Sequence, residues 1–277
     1  MMHGFAPAPP SNDRALSPVR STWRRVDGLR MHARVSAAPV PERRPPVVLV
    51  HGFIVSSRYM TPLIERLGRD FKVLAPDLPG FGQSDKPKRV LNIGELADAL
   101  DAWMTAMGIR RAALFANSLG CQIAVDLAWR RPARVLALVL QGPTVDPDAR
   151  TGRESFLRMM INSSREVGVG IGPVLDYLQA GLRRAFVTGR YMLQDPVEHK
   201  LPRIAQPTLV IRGARDPIAP QGWAEEVTRR LPRGRLRVIP GGAHTMVTLA
   251  PLELSRVARP FLLEAARAAP HRMETAR

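Results

Sequence analysis

Cysteine, lysine, aromatic side chains and long apolar runs are all scarce in this chain. Its single cysteine, Cys121, excludes an intrachain disulfide and suits a reducing compartment, so a cytoplasmic location is expected. No stretch approaches the roughly 20 consecutive apolar residues that a spanning helix needs, and no membrane partner is expected. Residues 1–20 are rich in Pro, Ala, Ser and Asn but have no continuous apolar h-region. They therefore read as no secretory signal, and residues 1–21 as a disordered lead-in.

Lysine occurs only at positions 72, 86, 88 and 200, so 37 of the 41 basic residues are arginine. The arginines are scattered, aromatics make up 5% of the chain, and no basic stripe interleaved with aromatics or nucleic-acid module is present. The net charge of +17 thus reads as an arginine-rich solvated surface, with attraction to anionic substrates or surfaces as the second reading. Nucleic acid is not expected as a partner.

At 277 residues and 45% hydrophobic content, the chain is long enough to bury a substantial core. Residues 22–37 alternate apolar and polar positions about Asp27-Gly28 and predict a β-hairpin. Short apolar runs end at Val50, Pro76, Leu140, Ile211 and Ile239. Helical spacing fills 59–68, 93–107, the stretch after Ser118, 223–231 and 247–266. Strands alternating with helices predict an α/β fold, with a mostly parallel sheet covered on both faces and opened by the hairpin.

Residues 143–202 break the alternation with short helical patterns and no buried strand. That is too long for a simple connection and predicts a helical cap over the sheet's C-terminal edge. The expected organisation is a core of residues 22–142 and 203–268, a cap of 143–202, and a C-terminal tail of 269–277.

Ser118 lies between the apolar run Ala112-Ala-Leu-Phe-Ala and the helical pattern Cys121-Gln-Ile-Ala-Val, within Ala116-Asn-Ser-Leu-Gly120. That is the form of a nucleophile elbow, Gly-x-Ser-x-Gly with a tolerated Ala at its first position. Nucleophilic acyl transfer also needs a base, a carboxylate that orients it, and donors for the oxyanion. In elbow hydrolases the chain order is serine, acid, histidine.

Of the downstream histidines 199, 244 and 271, only His244 follows a predicted strand through a glycine-rich loop, so it is the candidate base. Asp216, in the loop after the preceding strand, is the candidate acid. Asp146 and Asp148 are rivals that also read as helix caps. The oxyanion donors are expected to be the backbone N–H groups of Leu119 and Phe53. His51 reads as a structural turn residue. Cys121, in the first helical turn, reads as buried and structural.

Over residues 22–266 the chain resembles the α/β-hydrolase superfamily of capped, esterase-like enzymes. The resemblance rests on His51-Gly-Phe, Asp77-Leu-Pro-Gly-Phe-Gly-Gln-Ser, Ala116-Asn-Ser-Leu-Gly, Gly213-Ala-Arg-Asp-Pro and Gly242-Ala-His. It implies the α/β-hydrolase fold and a Ser118–Asp216–His244 triad, without a metal or organic cofactor. The superfamily's epoxide hydrolases and haloalkane dehalogenases use an Asp nucleophile, where Ser118 stands here. Its C–C hydrolases typically carry Trp after the catalytic histidine, where Thr245 stands.

The expected activity is hydrolysis of a small or medium, mainly apolar ester or related acyl compound through a covalent acyl-enzyme. Phe53, Phe156, Tyr177, Phe186 and Tyr191 are candidate substrate contacts. Arg183, Arg184 and Arg190 could bind a substrate carboxylate, which would favour C–C hydrolysis. Acyl transfer to an acceptor other than water, and a non-catalytic small-ligand receptor on this fold, also fit the same residues. The expected partner is a small molecule; the sequence leaves the oligomeric state open.

Overall fold

The computed structural model describes residues 16–41, 44–165 and 172–268. β1 (Val19–Val26) and β2 (Leu29–Ser36) form an antiparallel hairpin. Its turn residues Asp27 and Gly28 have φ of 47° and 81°, the left-handed geometry that matches strand twist across a two-residue loop. Then follow β3 (Val47–Val50), α1 (Thr61–Leu67), β4 (Val73–Pro76), α2 (Ile93–Ala106), β5 (Ala112–Asn117), α3 (Leu119–Arg130) and β6 (Val135–Gln141). After a long helical segment come β7 (Thr208–Gly213), α8 (Gln221–Arg230) and β8 (Gly234–Ile239). The described chain closes with α9 (Met246–Leu249) and α10 (Pro251–Ala268).

The eight strands form one sheet in the order β1-β2-β4-β3-β5-β6-β7-β8. β2 pairs antiparallel with β4, and every pair from β4 to β8 is parallel. The apolar runs explain the layering, because successive residues of a strand face opposite sides. Val48 and Val50 of β3, Leu114 of β5 and Leu138 and Leu140 of β6 pack with Leu100 and Trp103 of α2 and Ile123 and Leu127 of α3. Val47, Leu49, Phe115 and Val139 pack on the other face with Leu63 and Ile64 of α1 and Leu254 and Phe261 of α10. Each fully buried side chain of this size contributes about 1.5–3 kcal/mol relative to exposure. A sheet covered on both faces has its functional edge left at the strand ends.

Between β6 and β7 lie α4 (Gly152–Arg165), α5 (Gly172–Ala180), α6 (Leu182–Gln194) and α7 (Val197–Lys200), with no strand among the described residues. Several polar contacts fasten this segment to the loops and helices at the carboxyl ends of the parallel strands. Ser56 Oγ donates to Asp176 Oδ2 at 2.8 Å, and Arg184 Nη2 to the Pro87 carbonyl at 3.0 Å. Gln122 of α3 donates to the Met192 carbonyl at 2.9 Å. Lys200 Nζ, itself buried, lies 2.9 Å from Asp126 Oδ1 and 2.5 Å from Asp195 Oδ1.

Several boundaries differ from the sequence reading. β1 begins at Val19, inside the stretch expected to be disordered, because Val19 pairs with Ser36 and the Ser17 N–H donates to the Glu65 carbonyl at 3.0 Å. β6 runs one residue further than expected, to Gln141. The final helix is split: Pro251, which lacks an N–H, opens α10 directly after Ala250 ends α9. Residues 1–15 and the whole of the expected tail 269–277, with His271, lie outside the described residues.

Candidate active site

Ser118 stands between β5 and α3 with φ 54° and ψ −125°, a conformation that a non-glycine residue holds only when its surroundings impose it. The surroundings are specific. Its N–H donates to the Gln141 carbonyl at 3.0 Å, and its own carbonyl accepts the Cys121 N–H at 2.9 Å. The turn also needs small flanks. A Cβ at Gly120 would overlap the Val50 carbonyl oxygen and come within 2.7 Å of that of His51. Ala116, the other flank, is fully buried within β5, so its methyl group fits.

His244 and Asp216 meet on the same sheet edge. His244 Nδ1 lies 2.8 Å from Asp216 Oδ2, with both side chains buried. Asp216 Oδ1 accepts backbone N–H bonds from Ile218 at 2.8 Å and Ala219 at 3.0 Å, which fixes the carboxylate's orientation. Arg212, at the end of β7, is buried and donates to the carbonyls of Ala219 and Asp216 at 3.0 and 3.2 Å, so it braces the acid's loop. Gly142, at φ 56°, backs the pair. A Cβ there would lie 2.8 Å from the His244 ring and 3.2 Å from Asp216 Oδ2.

Gln141 joins the two halves. Its backbone carbonyl takes the Ser118 N–H, its Oε1 accepts from Asn117 Nδ2 at 2.5 Å, and its Nε2 donates to the His244 carbonyl at 3.0 Å. In the sequence Gln141 is only the residue that follows the apolar run ending at Leu140, and it is not among the candidate site residues. A fully buried amide at the end of an apolar strand was the available signal, since such a group needs partners.

Around the serine, Gly52 lies so close that a Cβ would be 3.2 Å from Ser118 Cβ and 3.0 Å from Asn117 Oδ1. This brings the Phe53 backbone beside the elbow. Ile54, next in the chain, has φ 53°, unusual for a β-branched residue, so the backbone reverses immediately after Phe53. Leu119 opens α3, where first-turn N–H groups lack helical partners and the helix dipole favours negative charge.

His51 does not face this chemistry. Its Nδ1 lies 3.0 Å from the Gly52 carbonyl and its Nε2 accepts the Leu78 N–H at 3.1 Å, which together define the neutral Nδ1–H tautomer. Burial lowers its pKa, outweighing the Gly52 bond and the nearby Asp77 and Asp176, which raise it. Cys121 is buried with its thiol against the Ala116 and Gln141 carbonyls, and burial pushes its pKa well above the ordinary thiol value. Asp146 caps the turn at 147–149 through the Asp148 N–H at 3.1 Å and pairs with Arg158 at 2.9 Å. His199 is exposed beside Glu198.

The candidate substrate contacts divide. Tyr177 meets Phe53 edge-on, with ring centroids 6.2 Å apart, and Tyr191 is half-buried. Phe156 and Phe186 are 59% and 70% exposed, so neither is enclosed against the sheet, because helical spacing marks a common face without saying what covers it. Arg183 and Arg190 are exposed, and Arg184 is committed to the Pro87 carbonyl. Among the described residues, no group of three or more His, Cys, Asp or Glu could hold a metal ion, and no helix is long and apolar enough to cross a membrane.

Residues 45–162 match the family described as alpha/beta hydrolase fold, and residues 190–266 match that described as TAP-like protein. The chain belongs to the α/β-hydrolase superfamily. It is 30% identical over 229 residues to a haloalkane dehalogenase of Mycolicibacterium paratuberculosis, covering 71% of this chain and 75% of that protein. A match to an uncharacterised Mycobacterium tuberculosis protein, 30% identical, covers 46% of this chain and only 36% of the relative. Two solved structures share the hydrolase fold. The thermophilic esterase from Thermogutta terrifontis has a TM-score of 0.73 at 22% identity, covering 89% of this chain and 99% of that one. The 2-hydroxy-6-oxo-6-phenylhexa-2,4-dienoate hydrolase from Rhodococcus has a TM-score of 0.72 at 22% identity, covering 91% of this chain and all of the other.

Proposed function

We propose that this α/β-hydrolase is a serine hydrolase that cleaves a small or medium, mainly apolar ester or related acyl compound through an acyl-enzyme. The observation that carries the reading is the link through Gln141, whose backbone holds the Ser118 N–H and whose side chain holds the loop of the His244–Asp216 pair. In this reading Ser118 Oγ attacks the acyl carbon while His244 accepts the hydroxyl proton through Nε2. Asp216 keeps the Nδ1–H tautomer and stabilises the imidazolium that forms. The N–H groups of Phe53 and Leu119 receive the oxyanion. His244 then returns the proton to the leaving alcohol, and water repeats the sequence to release the acid.

The helical segment 143–202 acts as a cap in this reading, and the edge-on contact of Tyr177 with Phe53, the residue that offers an oxyanion N–H, supplies apolar surface for the acyl group. Ser118 at the elbow favours this chemistry over the aspartyl-enzyme route. The exposed positions of Arg183 and Arg190 give no support to carboxylate recognition and thus to C–C hydrolysis.

The test is labelling with a fluorophosphonate probe, combined with a panel of p-nitrophenyl acyl esters of graded length. Wild-type protein should label and turn over, and Ser118→Ala should do neither while unfolding at the same temperature. Equal hydrolysis by both proteins would remove Ser118 from the mechanism. Folded wild-type protein that neither labels nor hydrolyses any ester would favour a binding role for the fold.

A further inference from the structure

Three of the most exposed large apolar side chains lie together on the α5–α6 hairpin. Leu178 is 75%, Leu182 88% and Phe186 70% exposed, whereas the core side chains of this protein are almost fully covered. Gly181, at φ 81°, makes the turn between the helices and puts Leu178 and Leu182 on either side of it. Phe186 follows Leu182 by one helical turn on the same face. Single exposed apolar residues are ordinary, but a cluster at the turn of a helical hairpin marks a contact surface.

The charge around the tip identifies the occupant. The hairpin rests on the loop after β4, where Lys86 Nζ donates to the Gln179 carbonyl and Arg184 to that of Pro87. Arg183, Lys86 and Lys88 are exposed at this junction, and among the described residues none of the three has a carboxylate partner. Two of the chain's four lysines thus stand here. Acids are absent or spoken for. Asp176, the only carboxylate within residues 172–194, is buried against Ser56, and Asp85 on the neighbouring loop faces Arg30 at 3.8 Å. An apolar tip ringed by such cations, on a chain of net charge +17, matches the apolar interior and negative headgroups of an anionic bilayer surface.

We propose that the α5–α6 hairpin docks this protein onto anionic phospholipid membranes, with Leu178, Leu182 and Phe186 entering the acyl boundary and Lys86, Lys88 and Arg183 meeting the headgroups. This revises the sequence-based expectation of no membrane partner, which rested on the lack of a spanning segment; surface adhesion requires none. The proposal is independent of the catalytic reading, since no member of the Ser118 site takes part.

The experiment is co-sedimentation of the full chain with phosphatidylglycerol vesicles, with phosphatidylcholine vesicles as reference. Wild-type protein should bind the anionic vesicles and lose that binding as salt rises, because exposed charges are screened within about 8–10 Å at 0.1–0.15 M salt. Leu182→Ser/Phe186→Ser should lower the partition coefficient by about tenfold or more through lost apolar insertion. Lys88→Gln/Arg183→Gln should weaken binding and flatten its salt dependence. Arg237→Gln/Arg256→Gln, which removes two exposed arginines elsewhere, should leave it close to wild type. Circular dichroism melts establish that each variant is folded. No binding by wild type overturns the proposal, as does a Leu182→Ser/Phe186→Ser variant that binds equally well, which would mean diffuse charge attraction. A wild-type dimer that ignores vesicles and dissociates in that variant would assign the surface to a second copy instead.

Discussion

Gln141 Nε2 donates to the His244 carbonyl at 3.0 Å, so the loop bearing the candidate base hangs from the strand beside the elbow. Replacing Gln141 with Leu keeps the volume but leaves Asn117 Nδ2 and the His244 carbonyl without this partner. The expected cost is about 1–3 kcal/mol for each buried group left unsatisfied, read from urea denaturation. Because the loop then loosens, kcat should fall by about tenfold or more with a smaller change in KM. A variant that loses stability with unchanged kcat would give Gln141 a structural role only.

Asp216→Asn tests the orienting carboxylate. The amide cannot hold His244 in the Nδ1–H tautomer as the carboxylate does, and kcat on the best ester should drop by about 10⁴-fold. Ile218 and Ala219 still find an oxygen acceptor, so the thermal midpoint should move little.

Gly142→Ala separates geometry from chemistry. The added methyl meets the His244 ring at 2.8 Å and sits on a backbone of φ 56°. Strain of about 1–3 kcal/mol is expected, together with displacement of the imidazole. The fluorophosphonate labelling rate should fall more steeply than stability does.

Stability should decline as pH falls below the ordinary histidine value. Burial holds the folded-state pKa of His51 below 6.5, so between the two values the unfolded chain binds the extra proton. Stability from this group is therefore full above about pH 6.5 and is lost as acid rises towards the folded pKa. Urea midpoints between pH 5 and 8 should show this slope, and His51→Gln should flatten it while lowering stability at pH 8.

Cys121 should be inert in the native protein. Its buried thiol, with a pKa raised by desolvation, offers almost no thiolate at neutral pH. Ellman's reagent should modify it only after denaturant is added. Rapid native modification would mean that the start of α3 opens.

The layered fold was legible because alternation and apolar runs are local, and the sheet needs little else. Ser118, His244 and Asp216 were legible because each sits at a strand end among small residues that permit tight turns. Gln141 was not, since its partners lie 24 and 103 positions away in the chain. Val19 was missed because its strand character depends on Ser36, and Phe186 because an apolar stripe does not say whether a neighbour covers it.

Gln122 lies four positions after Ser118 on α3 and donates to the Met192 carbonyl at the end of α6. Asp126, a further turn along the same helix, holds Lys200 at the exit of the insertion. The helix that begins at Ser118 is therefore also the post to which the insertion is tied. Any displacement of this end of the insertion would disturb the serine's own helix.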